Sequence, residues 1–225
     1  MSTKEPAQRE GKTMYCVIVG DIIDSRQLDF DKRQHTTETI EKIFMEINYN
    51  YRENILSDFG LVRGDSFEGV LFSQDRSLKI IRDIIRQVYE KTGQRLRVCA
   101  AIDELSVVSS DRNKADGPAF HVAVEELERL KAKKSTHWLQ VAMKTKDDPA
   151  QPLIDTTLEL LAALTAGWTD KQRELVWKMS DYGGLQKQLS EAEGFSPSVV
   201  SRQLKAANYP AYSSAWQALE QYLNA

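Results

Sequence analysis

The chain has 225 residues, of which 28% are charged and 41% hydrophobic, and its formal net charge is −3. This composition is typical of a soluble globular protein, and the net negative charge gives no basic footprint for nucleic acid over the whole surface. No apolar run approaches the roughly 20 residues that cross a bilayer. The polar residues 1–12 are typical of a disordered tail rather than a signal peptide. We therefore expect a cytoplasmic protein, with Cys16 and Cys99 as buried free thiols.

The first two thirds of the chain predict alternating strands and helices, from runs of apolar residues and from apolar positions that recur every three or four residues. The predicted elements are, in chain order, a strand over 14–21, a helix over 31–56, two strands around Gly64-Asp65, a helix over 75–92, a strand over 95–105, a helix opened by Asp116 as cap and Pro118, and a strand over 138–143. The order β-α-β-β-α-β-α-β predicts an α+β fold, a ferredoxin-like core with one helix and one strand added.

Two Gly-Asp dipeptides stand at strand ends, Gly20-Asp21 and Gly64-Asp65. A right-handed crossover makes the first two strands parallel with the third between them, so the first strand end and the hairpin tip share one sheet edge. Asp21 and Asp65 are therefore expected to converge and to offer carboxylate oxygens to a divalent cation. The alternative is that both are only strand-ending turn formers, a common role for aspartate.

Basic residues are expected at the same edge. The fourth strand should run antiparallel to the first, which brings its start at Arg95 and Arg97 beside the carboxylates, an arrangement that suits a metal-bound polyphosphate. Arg26 follows the first strand closely and either binds a phosphate or forms a salt bridge at the entry of the next helix. Lys131, near the end of the third helix, either binds a phosphate or only complements the helix dipole.

The composition changes after residue 143. Residues 144–152 are polar, contain two prolines and lack an apolar period, which predicts a linker or an extended connection between a domain at 13–143 and an all-helical domain at 153–225. Within the helical domain, residues 184–207 have the layout of a helix-turn-helix. Its two short helices are separated by Gly194-Phe-Ser196, with Ser196 as cap and Pro197 at the first position of the second helix.

The second helix of this pair carries four polar residues that we expect on or near its exposed face and that are DNA-binding candidates: Ser198, Ser201, Arg202 and Lys205. The charge of the helical domain argues against DNA binding, because the chain contains six Lys or Arg and eight Asp or Glu from residue 151 onward. The alternative is a helical bundle that supports an oligomer without DNA. A final helix over 212–223 has an apolar stripe that either mediates a homodimer or closes the bundle.

Three motifs resemble the SatD family of bacterial proteins: Gly20-Asp-Ile-Ile-Asp-Ser-Arg26, Arg63-Gly-Asp-Ser-Phe-Glu-Gly69 and Ala115-Asp-Gly-Pro-Ala119. With the C-terminal helix-turn-helix, the resemblance covers nearly the whole chain after the tail. The second motif is also similar to the hairpin signature Gly-Gly-Asp-Glu-Phe of diguanylate cyclases, whose palm-type domains hold two metals. That similarity implies a palm-like domain with Asp21 and Asp65 as ligands of Mg²⁺. Ser66 stands where the cyclases have a catalytic glutamate, and a serine cannot act as a carboxylate base.

Two functions remain open from the sequence. The first is a DNA-binding regulator whose palm-like domain senses a nucleotide or another phosphorylated ligand with a divalent cation. The second is a metal-dependent enzyme of nucleotidyl transfer or cyclisation, in which the helical domain is an interaction module. The missing glutamate at Ser66 favours the regulator.

Overall fold

The computed structural model describes residues 8–9 and 12–224, which form an α+β fold. The strands are Gln8–Arg9 (β1), Lys12–Thr13 (β2), Tyr15–Ile22 (β3), Ile55–Arg63 (β4), Ser66–Leu71 (β5), Leu96–Asp103 (β6) and Gln140–Thr145 (β7). The helices are Phe30–Asn50 (α1), Ser77–Thr92 (α2), Pro118–Ala132 (α3), Gln151–Ala166 (α4), Asp170–Asp181 (α5), Gln186–Glu193 (α6), Pro197–Ala206 (α7) and Tyr209–Leu223 (α8), with a short 3-10 helix at Ser25–Gln27. Among the helices of these residues, none has the length and apolarity needed to cross a bilayer.

The tail predicted at 1–12 falls mostly outside the described residues, since 1–7, 10 and 11 are not part of them. The two described stretches of the tail pair with each other, because β1 and the antiparallel β2 form a two-stranded ladder.

The main sheet has the strand order β4-β5-β3-β6-β7, in which β6 and β7 are parallel and the other neighbours are antiparallel. Thus β3 and β4 run parallel with β5 between them, which confirms the predicted ferredoxin-like core with an added strand. The register places Asp21 opposite Ser66 in β5 and opposite Arg97 in β6. The end of β3, the β4–β5 turn and the start of β6 therefore meet at one edge of the sheet.

The two faces of the sheet bury separate apolar clusters, as the alternation of side chains along β3 requires. Cys16 and Ile18 lie in the cluster under α1 and α2, whereas Val17 and Val19 pack with α3. Cys16 and Cys99 are both free and fully buried, as the sequence predicts. Burial raises the pKa of the Cys16 thiol to about 12, which leaves it protonated and unreactive at neutral pH.

The long helix predicted over 31–56 ends early. Helix α1 stops at Asn50, Tyr51 is its C-cap, and β4 begins at Ile55. Ile55 lies opposite Leu71 in the sheet, and the Phe72 N–H donates to the Asn54 carbonyl at 2.9 Å. Pairing with β5 therefore decides this segment's structure, although its apolar spacing continues that of the helix.

The linker predicted at 144–152 is wrong in extent. Strand β7 continues to Thr145 and α4 begins at Gln151, with Pro152 in its first turn, where proline is well tolerated. The Gln151 side chain accepts from the Thr145 N–H and donates to the Met143 carbonyl, both at 2.7 Å. A short connection that is hydrogen-bonded to the sheet thus takes the place of the predicted linker.

The helical domain shares one apolar cluster with the palm-like domain, in which Leu158 and Trp216 belong with Ile18 and Ile81. Ion pairs also join the two parts, with Arg82 bonded to Glu220 at 3.0 Å. The stripe predicted on the final helix is buried in this cluster: Tyr212, Trp216, Leu219 and Leu223. The stripe therefore closes the bundle, and a homodimer would have to use another surface.

Candidate functional site

The candidate site begins at the β4–β5 turn. Gly64 has φ +66°, in the left-handed region that favours glycine, so the order Gly-Asp suits this turn. The Asp65 carbonyl accepts from the Ile22 N–H at 3.1 Å, and the Asp65 carboxylate accepts from the Ser25 hydroxyl. These two bonds tie the hairpin tip to the residues that follow β3.

Asp21 is the buried carboxylate of the site, with only 8% of its side chain exposed. Its Oδ1 lies 3.3 Å from Nη1 of Arg97, and its Oδ2 lies 3.2 Å from Nζ of Lys131. Burial lowers the pKa of Lys131, but the carboxylates of Glu128 and Asp21 outweigh that effect and the pKa is raised. Lys131 is therefore charged at neutral pH, and Asp21 is held between two cations from β6 and α3.

A cleft of about 570 Å³ opens beside these residues. The lining side chains come from the end of β3, the following 3-10 helix, the hairpin tip, the start of β6 and α3: Asp21, Ile22, Asp24, Ser25, Arg26, Gln27, Asp65, Arg97, Glu128 and Lys131. Arg26 is exposed, and within the described part of the chain its guanidinium forms no ion pair. The salt bridge considered for Arg26 at the helix entry is thus not what the structure contains.

The carboxylates of Asp21 and Asp65 are the kind of donor that Mg²⁺ prefers. The charge of Asp21 is already offset, because Arg97 and Lys131 both contact its carboxylate. In residues 8–9 and 12–224, no group of three or more His, Cys, Asp or Glu is arranged to hold a metal. Asp21 and Asp65 are the residues that would hold such an ion, since Mg²⁺ in proteins commonly binds one or two carboxylates together with substrate phosphates.

The structure brings together all five residues predicted for this site: Asp21, Asp65, Arg26, Arg97 and Lys131. Arg95 lies further out, with Nη2 3.9 Å from Oδ2 of Asp24. The contributors that were not predicted from sequence include Ser25, which stands inside the first motif, Glu128, and Gln140, whose Oε1 accepts from Nε of Arg97 at 3.1 Å. No local sequence signal identifies Gln140, because only the β6–β7 pairing places it opposite Arg97.

The N-cap predicted for α3 differs from the one in the structure. The N-cap of α3 is Gly117 rather than Asp116, and Pro118 occupies the first turn as expected. The Asp116 carboxylate accepts from the Gly117 N–H at 2.8 Å, and Asp116 forms an isolated bridge with Val107. Asp116 therefore shapes the turn before α3 instead of capping it.

The C-terminal helix pair has the predicted bounds. Gly194, with φ +69°, ends α6, and Pro197 lies in the first turn of α7. Ser196 occupies the N-cap position, but its side chain makes no capping hydrogen bond. Val200 and Leu204 are buried, and the four predicted DNA-binding residues are all exposed: Ser198, Ser201, Arg202 and Lys205.

The sequence profile of the SatD family matches residues 15–222. The chain belongs to the SatD family. The match includes both the cleft residues and the C-terminal helix pair of this SatD-family protein, so the family covers the palm-like and the helical parts together. A comparison with curated proteins gave no match.

Solved structures similar to this SatD-family chain include nucleotide cyclases and a GGDEF domain. A guanylyl cyclase domain of the aquatic fungus Blastocladiella emersonii has a TM-score of 0.41 and 14% identity, covering 51% of this chain and 73% of its own. A bacterial light-regulated adenylyl cyclase has a TM-score of 0.43 and 14% identity, and the match covers 58% of this chain and 74% of the cyclase chain. A microbial GGDEF domain studied with bis-(3′,5′)-cyclic di-GMP has a TM-score of 0.42 and 15% identity, and the match covers 60% of this chain and 80% of the GGDEF chain. At these identities the similarity concerns the fold alone.

Proposed function

We propose that this SatD-family protein is a DNA-binding regulator whose palm-like domain binds a nucleotide or another phosphorylated ligand. One observation carries the ligand part of the proposal. Three cationic side chains, Arg26, Arg97 and Lys131, line one cleft together with four carboxylates: Asp21, Asp24, Asp65 and Glu128.

The arrangement of these cations suits phosphate. Arg97 is oriented by Gln140 and Asp21, and a fixed guanidinium offers parallel N–H donors to phosphate oxygens. Arg26 is exposed at the cleft and bonds no carboxylate of the described residues, so its charge is available to a ligand. The cleft volume of about 570 Å³ lies within the range of small-molecule sites.

Magnesium would be held by Asp21 and Asp65, and its chemical contribution would be to neutralise a polyphosphate next to these carboxylates. Because Lys131 and Arg97 already balance Asp21, we expect magnesium to strengthen ligand binding without binding firmly by itself. Ser66, which faces Asp21 in the sheet, supplies a neutral hydroxyl in place of a second acidic group at the hairpin.

The ligand part is tested by thermal unfolding with ATP, GTP and inorganic tripolyphosphate, each with and without MgCl₂. A ligand that binds the folded state and is present at a concentration about 100 times its Kd should raise Tm by about 5 °C for a chain of this size. The variants Asp65→Asn and Arg26→Gln should lose most of that rise, because one removes a magnesium ligand and the other a phosphate-binding guanidinium.

The matched control for Arg26→Gln is Arg52→Gln, which removes the same charge from an exposed position before β4, at the sheet end opposite the cleft. Arg52→Gln should keep the full ligand response. A response that survives in Asp65→Asn and Arg26→Gln alike would contradict the ligand site. Formation of a cyclic or linear dinucleotide, abolished in Asp65→Asn, would instead establish the enzyme that the sequence left as the alternative.

The exposed side of α7 supports the DNA part of the proposal. Helix α7 carries Arg202 and Lys205 and no acidic residue, so its surface is locally basic although the helical domain is not. Ser198 and Ser201 are exposed on the same helix and offer hydroxyls to phosphates and base edges. Because one copy contributes few cations, we expect two copies to bind paired half-sites about one helical turn, roughly 34 Å, apart.

In vitro selection from random duplexes at low salt, with and without a ligand found by thermal unfolding, tests this part. The double variant Arg202→Ala/Lys205→Ala should weaken binding to a selected duplex by about tenfold or more. Its binding should also depend less steeply on salt concentration, because fewer DNA phosphates are neutralised. The control Arg52→Ala/Lys114→Ala removes two positive charges from the palm-like domain and should bind normally. If no sequence is enriched, the helical domain is an interaction module without DNA.

A further inference from the structure

A second cavity lies between the palm-like domain and the helical domain. Its volume is about 260 Å³, and its walls come from α2, α5, α8 and the two residues that precede β7. Four aromatic side chains line it: Trp138, Trp177, Tyr212 and Trp216. The cavity shares no lining residue with the cleft at Asp21, so it is a separate place in the molecule.

The charged residues around this cavity balance one another. They form three ion pairs: Lys79 with Asp83 at 2.9 Å, Arg82 with Glu220 at 3.0 Å, and Arg86 with Asp181 at 2.6 Å. Three cations therefore face three anions, and the cavity attracts neither a cationic nor a polyanionic ligand by charge. This balance favours an uncharged occupant.

The walls also offer two unpaired indole N–H groups. Trp138 packs against Trp177, with ring centroids 5.3 Å apart. The indole Nε1 atoms of Trp138 and Trp216 are both buried without a hydrogen-bond acceptor among the described residues. A buried donor without an acceptor costs free energy, which a ligand with an acceptor atom recovers. Aromatic walls and a small number of buried donors are the features of a site for a flat heteroaromatic ring.

We propose that this cavity binds a neutral planar heteroaromatic ring, such as a free nucleobase. Its volume of about 260 Å³ lies just below the usual range of drug-sized pockets, so it matches a ring system rather than a nucleotide with its phosphates. Because α2 belongs to the palm-like domain and α5 and α8 to the helical domain, a bound ring contacts both parts at once. This site goes beyond the proposed phosphate site and does not depend on it.

Intrinsic fluorescence reports directly on this cavity, since three of the four tryptophans of the chain line it: Trp138, Trp177 and Trp216. No tryptophan lines the cleft at Asp21. Titration of the full-length protein with adenine should give a saturable change in tryptophan emission. Benzylamine, which joins a flat ring to a positively charged amine and lacks an acceptor in the ring, should give none at the same concentration.

A substitution that fills the cavity without removing an indole sharpens the test. Ser180 lines the cavity, so Ser180→Tyr should weaken adenine binding by about tenfold or more. The control Gln217→Tyr places the same ring on an exposed position of α8 outside the cavity and should bind adenine normally. The proposal is overturned by no saturable change in the folded protein, by an equal change with benzylamine, or by unaltered affinity in Ser180→Tyr.

Discussion

Replacing Gly20 by alanine is expected to lower the free energy of unfolding by about 3 kcal/mol. Gly20 lies in β3, opposite Phe67 in β5, and a Cβ added there would stand 2.3 Å from the Phe67 ring and 2.6 Å from the Arg97 carbonyl oxygen. The ring is fully buried and the carbonyl belongs to the neighbouring strand, so neither can move without disturbing the sheet. Urea denaturation of the wild type and the variant measures the difference.

Gly60→Ala is the matched control for Gly20→Ala. The atoms nearest to a Cβ at Gly60 would be those of the Arg112 guanidinium, the first at 2.2 Å, and the end of a long side chain can swing away. The variant gives up the hydrogen bond from Nη1 of Arg112 to the Asp58 carbonyl, now 3.0 Å long, so the cost should be about 1 kcal/mol. Equal costs for the two alanine variants would show that the close approach of β3 and β6 at Gly20 is not a constraint.

Asp21→Asn is expected to destabilise the folded protein by about 3 kcal/mol, because breaking a buried ion pair leaves its partners with uncompensated charge. The Arg97 side chain is only 16% exposed, and the amide of asparagine would face both Arg97 and Lys131 without a negative charge. Urea denaturation at neutral pH measures the change.

Asp65→Asn is the comparison for Asp21→Asn. The Asp65 carboxylate accepts from the neutral hydroxyl of Ser25, and its backbone bond to Ile22 does not involve the side chain. We expect a cost of about 1 kcal/mol for this variant. If Asp21→Asn costs no more than Asp65→Asn, the two cations do not depend on Asp21, and the carboxylate is only a strand-ending residue.

The sequence predicts the sheet and the meeting of Asp21 with Asp65, because hydrophobic order and the right-handed crossover determine the topology. It does not predict where α1 ends, since Ile55 continues the helical spacing and only pairing with β5 makes it part of a strand. Pro152 is equally compatible with a linker and with the first turn of a helix, and the structure places it in the helix.

Within the site, local sequence does not separate Lys131 from its basic neighbours at the end of α3. The rotation of α3 on the sheet directs Lys131 to Asp21, while Lys133 bonds Glu159 in α4 at 3.0 Å. The same holds for Ser25 and Gln140, whose roles depend on bonds with distant segments. Residues at strand ends are predictable from topology, whereas the residues that orient them require tertiary structure.

The shared apolar cluster restricts how this architecture can be recombined. Leu158 and Trp216 fill the same interior as Ile18 and Ile81, so the helical part cannot be exchanged as a self-contained cassette in a fusion protein. Cutting the chain between β7 and α4 would expose an apolar surface on both fragments. The palm-like and helical parts therefore have to be expressed and purified together as one chain.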